Sequence, residues 1–144
     1  EAGRPEESPR ALIVEDERDM NTLITYHLER NGFRTMSALD GEIGLLLAMR
    51  NRFDIVILDL MLPSMSGIEV CRQIQTRCTP PPAIIILTAV SKDIIQALRE
   101  KLSVVEILHK PFKPCELVQL TRTTVQESRN RTASKPESKA DEIR

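Results

Sequence analysis

Between Ala11 and Glu127, short and nearly unbroken apolar runs alternate with longer stretches in which apolar residues recur at helical spacing. The runs ALIV (11–14), FRTMSA (33–38), DIVILD (54–59), AIIILT (83–88) and VVEILH (104–109) have the length and branched aliphatic content of strands. After the first run, Met20, Leu23, Ile24 and Leu28 share one helical face, and Asn31-Gly32 supplies a stop. Asp40, Ser66 and Ser91 stand where N-caps belong for helices through GEIGLLLAMRNR, GIEVCRQIQTR and KDIIQALREK. Pro114 suits the first turn of a fifth helix through CELVQLTRTTVQE. The predicted order is βαβαβαβαβα.

Continuously aliphatic strands are those covered on both faces, as in parallel sheets with helices above and below. The third and fourth runs are the most apolar and belong in the centre; the second alternates with polar residues and suits an edge. Right-handed crossovers then favour a doubly wound, five-stranded parallel sheet of order 2-1-3-4-5, an α/β fold. Ligands bind such sheets beyond the strand C-termini at the switch point, here between strands one and three. The side chains expected there are Glu15, Asp16 and Glu17, then Asp59, Thr88, and His109, Lys110 and Pro111.

Several carboxylates in one crevice repel each other, so one takes up a proton or a cation sits among them. Oxygen-only ligands without His or Cys suit a hard dication such as Mg2+ rather than zinc. Lys110 adds a point charge and Thr88 a hydroxyl, both matched to a phosphoryl group, which leaves Asp59 placed as a nucleophile. Glu17, His27 and His109 read as solvated or structural positions, Cys71 and Cys78 as small core residues, and Thr79 to Ala83 as a stiff connector.

Composition narrows this picture further. At 144 residues the chain has room for one ordinary domain. Twenty basic against 21 acidic side chains, with three Phe, one Tyr and no Trp, lack the electrostatic signature of a direct nucleic-acid partner. An odd three cysteines without metal spacing, and no apolar run approaching the ~18 residues of a membrane span, read as a reduced, cytoplasmic protein with no membrane partner. EAGRPEESPR has no signal-peptide core, so residues 1–9 read as a disordered leader. SRNRTASKPESKADEIR has one strongly apolar residue, Ile143, so residues 128–144 read as a disordered tail or linker. Residues 10–127 are the domain.

Glu15-Asp16, ILDLMLPSMSG ending at Gly67, LTA ending at Ala89 and KPF from Lys110, in this order and each at a predicted strand end, resemble the receiver domain of two-component response regulators. The resemblance implies a flavodoxin-like (βα)5 fold and a phosphoacceptor signalling domain, not a metabolic enzyme, that assists its own phosphorylation and dephosphorylation. It implies that Asp59 accepts a phosphoryl group from a sensor histidine kinase, a phosphotransfer protein or a small phosphodonor. Asp16, Asp59 and the backbone carbonyl of Met61 would bind Mg2+ directly, and Glu15 mostly through water. Thr88 and Lys110 would contact the phosphoryl oxygens, beside a small Ala89, and the Lys110-Pro111 peptide would be cis.

The chain departs from that pattern near its fifth strand. Ile107 stands where such domains carry the Tyr or Phe that swings inward as the threonine moves, and Ser103, Val104, Val105 and Glu106 replace Gly-Ala-x-Asp. A β-branched Ile has few rotamers, so Ile107 is expected to stay fixed while the signal leaves by a loop or helix displacement. This departure keeps a pseudo-receiver, switching by partner binding, as the alternative. A haloacid-dehalogenase-like phosphatase is disfavoured, since its second Asp would fall at Met61. Kinase specificity is expected around Asn21, Thr22, Thr25 and Pro114. A homodimer would use the face of helix four, strand five and helix five, where Lys92, Asp93, Arg99, Glu100, Lys101, Glu116 and Arg122 read more readily as solvated charges than as bridges.

Overall fold

The computed structural model describes residues 8–102 and 105–143, with side chains described through Arg131. Residues 1–7 of the expected leader, and Ser103 and Val104, lie outside the described residues. In chain order the elements are β1 (Arg10–Val14), α1 (Arg18–Arg30), β2 (Arg34–Ala38), α2 (Gly41–Arg50), β3 (Ile55–Asp59), α3 (Gly67–Arg77), β4 (Ala83–Thr88), α4 (Lys92–Lys101), β5 (Val105–His109) and α5 (Pro114–Ile143). The strands form one parallel sheet ordered β2-β1-β3-β4-β5. Fold class, order and the edge position of the second strand are as expected.

Period-two alternation explains why the central strands read as solid apolar runs. Leu12, Val14, Val56, Leu58, Ile84 and Ile86 face one side, where Leu45, Ala48, Val70, Cys71, Ile74 and Leu98 of α2, α3 and α4 cover them. Ala11, Ile13, Ile55, Ile57, Ile85 and Leu87 face the other, against Ile24 and Leu28 of α1 and Leu117, Val118 and Val125 of α5. All five β3 residues are buried, Asp59 among them. At about 25 cal/mol per Å² of apolar area removed from water, this two-sided burial is the main force holding β3 in place.

Most helix ends follow the chemistry of their caps. Asp40 accepts the Ile43 N–H at 2.9 Å and Ser66 the Glu69 N–H at 3.3 Å. Ser91 precedes α4 as expected, but its side chain makes no cap bond. Asn31 closes α1 with its side-chain amide on the His27 carbonyl at 2.7 Å, and Gly32 then takes φ +93, a left-handed turn that glycine tolerates. The start of α5 is closed by Glu116, whose carboxylate accepts the Lys113 N–H at 2.9 Å. No Gly or Pro interrupts the sequence between Cys115 and Lys135, and α5 runs to Ile143, past the Glu127 at which the sequence ends the domain. Among the residues whose side chains are described, Val125 is the last in the core, and Arg129 beyond it pairs with Asp54 at 3.7 Å.

Asn21, which the sequence groups with the residues expected around the kinase-specificity surface, is buried, and its side-chain amide donates to the carbonyls of Glu15 at 3.0 Å and Ala38 at 3.2 Å. It ties the ends of β1 and β2 to the helix. Replacing Asn21 with Leu removes both donors and leaves the Glu15 carbonyl without this bond, for an expected loss of about 1–3 kcal/mol in urea unfolding. A variant as stable as the parent would refute this role.

Candidate functional site

Because β1 and β3 are neighbours whose following helices pack on opposite faces, a crevice opens beyond their C-termini. The chain fills that crevice with charge. Glu15 is 1% exposed and Asp59 5% exposed, while Asp16 is open to solvent. One carboxylate oxygen from each of the three lies within 4.8 Å of the others. Lys110, just beyond β5, sets its Nζ 3.2 Å from Glu15 Oε1 and 3.2 Å from Asp59 Oδ2. The remaining oxygens are held by backbone: Asp59 Oδ1 accepts the Met61 N–H at 3.1 Å, and Glu15 Oε2 the Glu17 N–H at 3.1 Å.

The electrostatics follow from burial. Loss of hydration pushes the Glu15 carboxyl from 4.5 up to about 7; the Asp59 charge adds to this, while the Glu17 N–H and Lys110 oppose it. Burial pulls the Lys110 ammonium down, but the charges of Asp59 and Glu15 and its hydrogen bonds to both outweigh it, so the group is held charged. The native state thus prefers Glu15 protonated while the unfolded chain ionises it near 4.5, so the native state binds more protons between these values. The stability contributed by the protonated form is full below about 4.5 and is lost as pH rises through about 7. Glu15→Gln removes this slope. With chelator present, the variant should exceed the parent by on the order of 2 kcal/mol at pH 8, with the difference shrinking at pH 5. Parallel stability curves for the two chains would refute this.

Thr88 ends β4 at the crevice floor and is buried; its Oγ1 accepts the Val90 N–H at 3.1 Å and is turned toward its own loop. Ala89 is exposed, and the Met61 side chain is 70% exposed at the rim. Ile107 is half-buried and packs, with Val90, against the core. Glu17 is exposed, Cys71 is buried and Cys78 half-buried. The Lys110-Pro111 peptide is cis as expected; Thr79-Pro80 is cis as well.

Two contributors escape a reading by residue type. Gly67 begins α3 with its N–H on the Leu60 carbonyl at 3.0 Å, and a Cβ there would strike the Asp59 carbonyl and lie 2.7 Å from Leu60 Cα. His109, taken as structural or solvent-facing, brings its Nε2 within 2.9 Å of the Val90 carbonyl. The signal for Gly67 was its place closing the PSMSG turn; for His109 a lone side chain gives none.

The donor set fits a hard dication. It comprises carboxylate oxygens alone, two of them buried and one on a solvent-facing residue, which leaves a side for water ligands.

A doubly wound α/β domain with an acidic, lysine-crossed pocket at its switch point is the class of molecule that fold and site together define. The chain belongs to the response regulator receiver domain family, whose model matches residues 11–122. It is 38% identical over 108 residues to the alkaline phosphatase synthesis transcriptional regulatory protein PhoP of Bacillus subtilis, covering 75% of this chain and 45% of that protein. It is 38% identical over 109 residues to the response regulator ArlR of Staphylococcus saprophyticus, covering 76% of this chain and 49% of the other. The chain thus spans about half the length of these relatives. The receiver domain of the Pseudomonas aeruginosa sensor histidine kinase PA1611, solved with magnesium coordinated in its active site cleft, superposes with TM-score 0.75 at 28% identity, covering 83% of this chain and 98% of that one. A Francisella response regulator receiver domain gives TM-score 0.74 at 27% identity, covering 83% and 98%.

Proposed function

We propose that this domain is a phosphorylatable receiver that takes a phosphoryl group from a phosphohistidine donor onto Asp59 and changes conformation to signal onward. The observation that carries the reading is the Lys110 Nζ bridging two buried carboxylates, Asp59 and Glu15, at 3.2 Å each. A buried nucleophile with its cation already in place needs little reorganisation when a phosphoryl group arrives.

In the transfer, a carboxylate oxygen of Asp59 forms a bond to phosphorus while the bond from phosphorus to the donor nitrogen breaks, and the departing imidazole takes a proton. Phosphoryl transfer asks mainly for position and for positive charge near the oxygens. The Met61 N–H fixes one Asp59 oxygen, and Lys110 shifts its charge from Asp59 toward the incoming group. Magnesium, held by Asp16, Asp59, the Met61 carbonyl and, through water, Glu15, would neutralise the accumulating negative charge. Thr88 has a hydroxyl to turn from the Val90 N–H to the phosphoryl group, beside the small Ala89.

The donor's docking surface is proposed at the exposed Thr22 and the half-buried Thr25 and Pro114. On the α4, β5 and α5 face, Lys92, Asp93, Arg99, Glu100 and Lys101 are exposed. Glu116 serves the α5 cap and Arg122 reaches Asn31 Oδ1 at 2.9 Å, so these two are engaged within the chain. That favours a solvated face over one of intersubunit bridges.

Incubation with acetyl phosphate and Mg2+ tests the central reading. A hydroxylamine-labile adduct mapped to Asp59 supports it. No adduct supports instead a pseudo-receiver that switches by partner binding, the reading which Ile107 favours.

A further inference from the structure

With Ile107 packed in place of an aromatic ring, a different residue is needed to sense the loop after β4. That loop, Ala89 to Ser91, is held by two side chains from different strands. Thr88 Oγ1 accepts the Val90 N–H at 3.1 Å, and His109 Nε2 lies 2.9 Å from the Val90 carbonyl. The acceptor is a carbonyl, so Nε2 carries the proton and donates. His109 and Lys110 are adjacent, and the Lys110 N–H donates to the Thr88 carbonyl at 2.7 Å. A single backbone corner therefore bears the lysine that contacts Asp59 and the imidazole that grips Val90.

We infer that His109 is the latch of the resting receiver: its imidazole holds the Val90 carbonyl while Thr88 holds the Val90 N–H, and phosphorylation of Asp59 opens both. Opening rests on the function proposed above; the resting latch does not. When the Thr88 hydroxyl turns to the phosphoryl group, the Val90 N–H loses its acceptor. Val90 is then held through its carbonyl alone, and Lys110, drawn to the new charge, pulls on the backbone of His109 until that hold opens too. Val90 and Ile107 both pack against the same core. Ile107 can keep its rotamer while the loop moves, so the signal leaves through the start of α4.

Amide hydrogen exchange at Val90, whose N–H is bonded within the held loop, tests this. In the unphosphorylated chain, His109→Ala should loosen the loop and speed exchange at this amide about twofold to tenfold, the factor expected for one neutral hydrogen bond. His109→Gln, which can set an amide donor near the place of Nε2, should restore most of the protection. With beryllofluoride and Mg2+ as the phosphoryl stand-in, the parent and His109→Ala should converge on the same fast rates. Equal rates in all three chains without beryllofluoride would overturn the latch. Protection at Val90 that survives in a parent shown by mass spectrometry to carry the Asp59 adduct would overturn its opening. Failure to form any adduct would sink the receiver reading instead, with the resting latch still judged by the first comparison.

Discussion

Asp59→Asn will lose phosphoryl uptake and gain stability. An amide oxygen is a poor nucleophile and carries no charge to pair with Lys110, so adduct formation from acetyl phosphate with Mg2+ should fall by at least the ~100- to 1,000-fold that follows loss of one essential transition-state contact. Magnesium affinity should fall with it, since one of three carboxylates is gone. In the metal-free chain, however, Asp59 is a buried charge that helps push Glu15 up, and its removal lets Lys110 serve Glu15 alone. The melting temperature in chelator should therefore rise. Mass spectrometry after hydroxylamine treatment reads the first effect and thermal unfolding the second. An Asp59→Asn chain that still takes up phosphate at another residue would refute the assignment, and a lower melting temperature would refute the account of the crowded carboxylates.

That opposition between function and stability is what the sequence makes visible. A chain that drives Ile55 to Leu58 through its centre and ends the run on Asp59 places a charge where only a compensating cation makes sense. Strand order, edge position and the meeting of Glu15, Asp16, Asp59 and Lys110 all follow from apolar runs and the residues at their ends, because period and length are local properties. Contacts made across the fold were less legible. Asn21 looks like a polar residue on an amphipathic helix, and only the approach of β1 and β2 turns its amide inward to two carbonyls. His109 is exposed, and its link to Val90 depends on where the preceding strand's loop runs. Ser91 stands at a cap position without making the bond, and its residue type does not distinguish it from Ser66, which does. The course of α5 beyond Glu127 was hidden for a different reason: its segment lacks the apolar face that marks a helix in a sequence.

Gly67→Ala should be among the most damaging single-methyl changes in the domain. The glycine's conformation is not the reason, since its backbone lies outside the left-handed region. Space is: the added Cβ would meet the Asp59 carbonyl, Leu60 Cα at 2.7 Å and the Leu60 carbonyl at 2.8 Å, all backbone atoms that cannot rotate aside. A flexible side chain could yield at little cost; here α3 or the end of β3 must move. The Gly67 N–H bond to the Leu60 carbonyl would stretch as they part. An overpacked site of this kind costs about 1–3 kcal/mol, and with the bond lost the expected destabilisation reaches about 3 kcal/mol. On the proposed function the displacement passes directly to activity, because residues 59 to 61 supply the proposed nucleophile, the N–H that orients it and the carbonyl proposed for the metal. Urea unfolding should show the loss, and acetyl phosphate labelling under fully folded conditions should still be slower by at least about tenfold, in line with the sensitivity of such chemistry to displacements near 1 Å. Gly41→Ala is the comparison: it too would press a backbone carbonyl, that of Met65 on the loop between β3 and α3, but not the Asp59 to Leu60 backbone itself. If both variants lost stability and both labelled at the parental rate once folded, the close approach of Gly67 to β3 would be packing alone. The Asp59 to Met61 backbone would then not need the exact path it takes beneath α3.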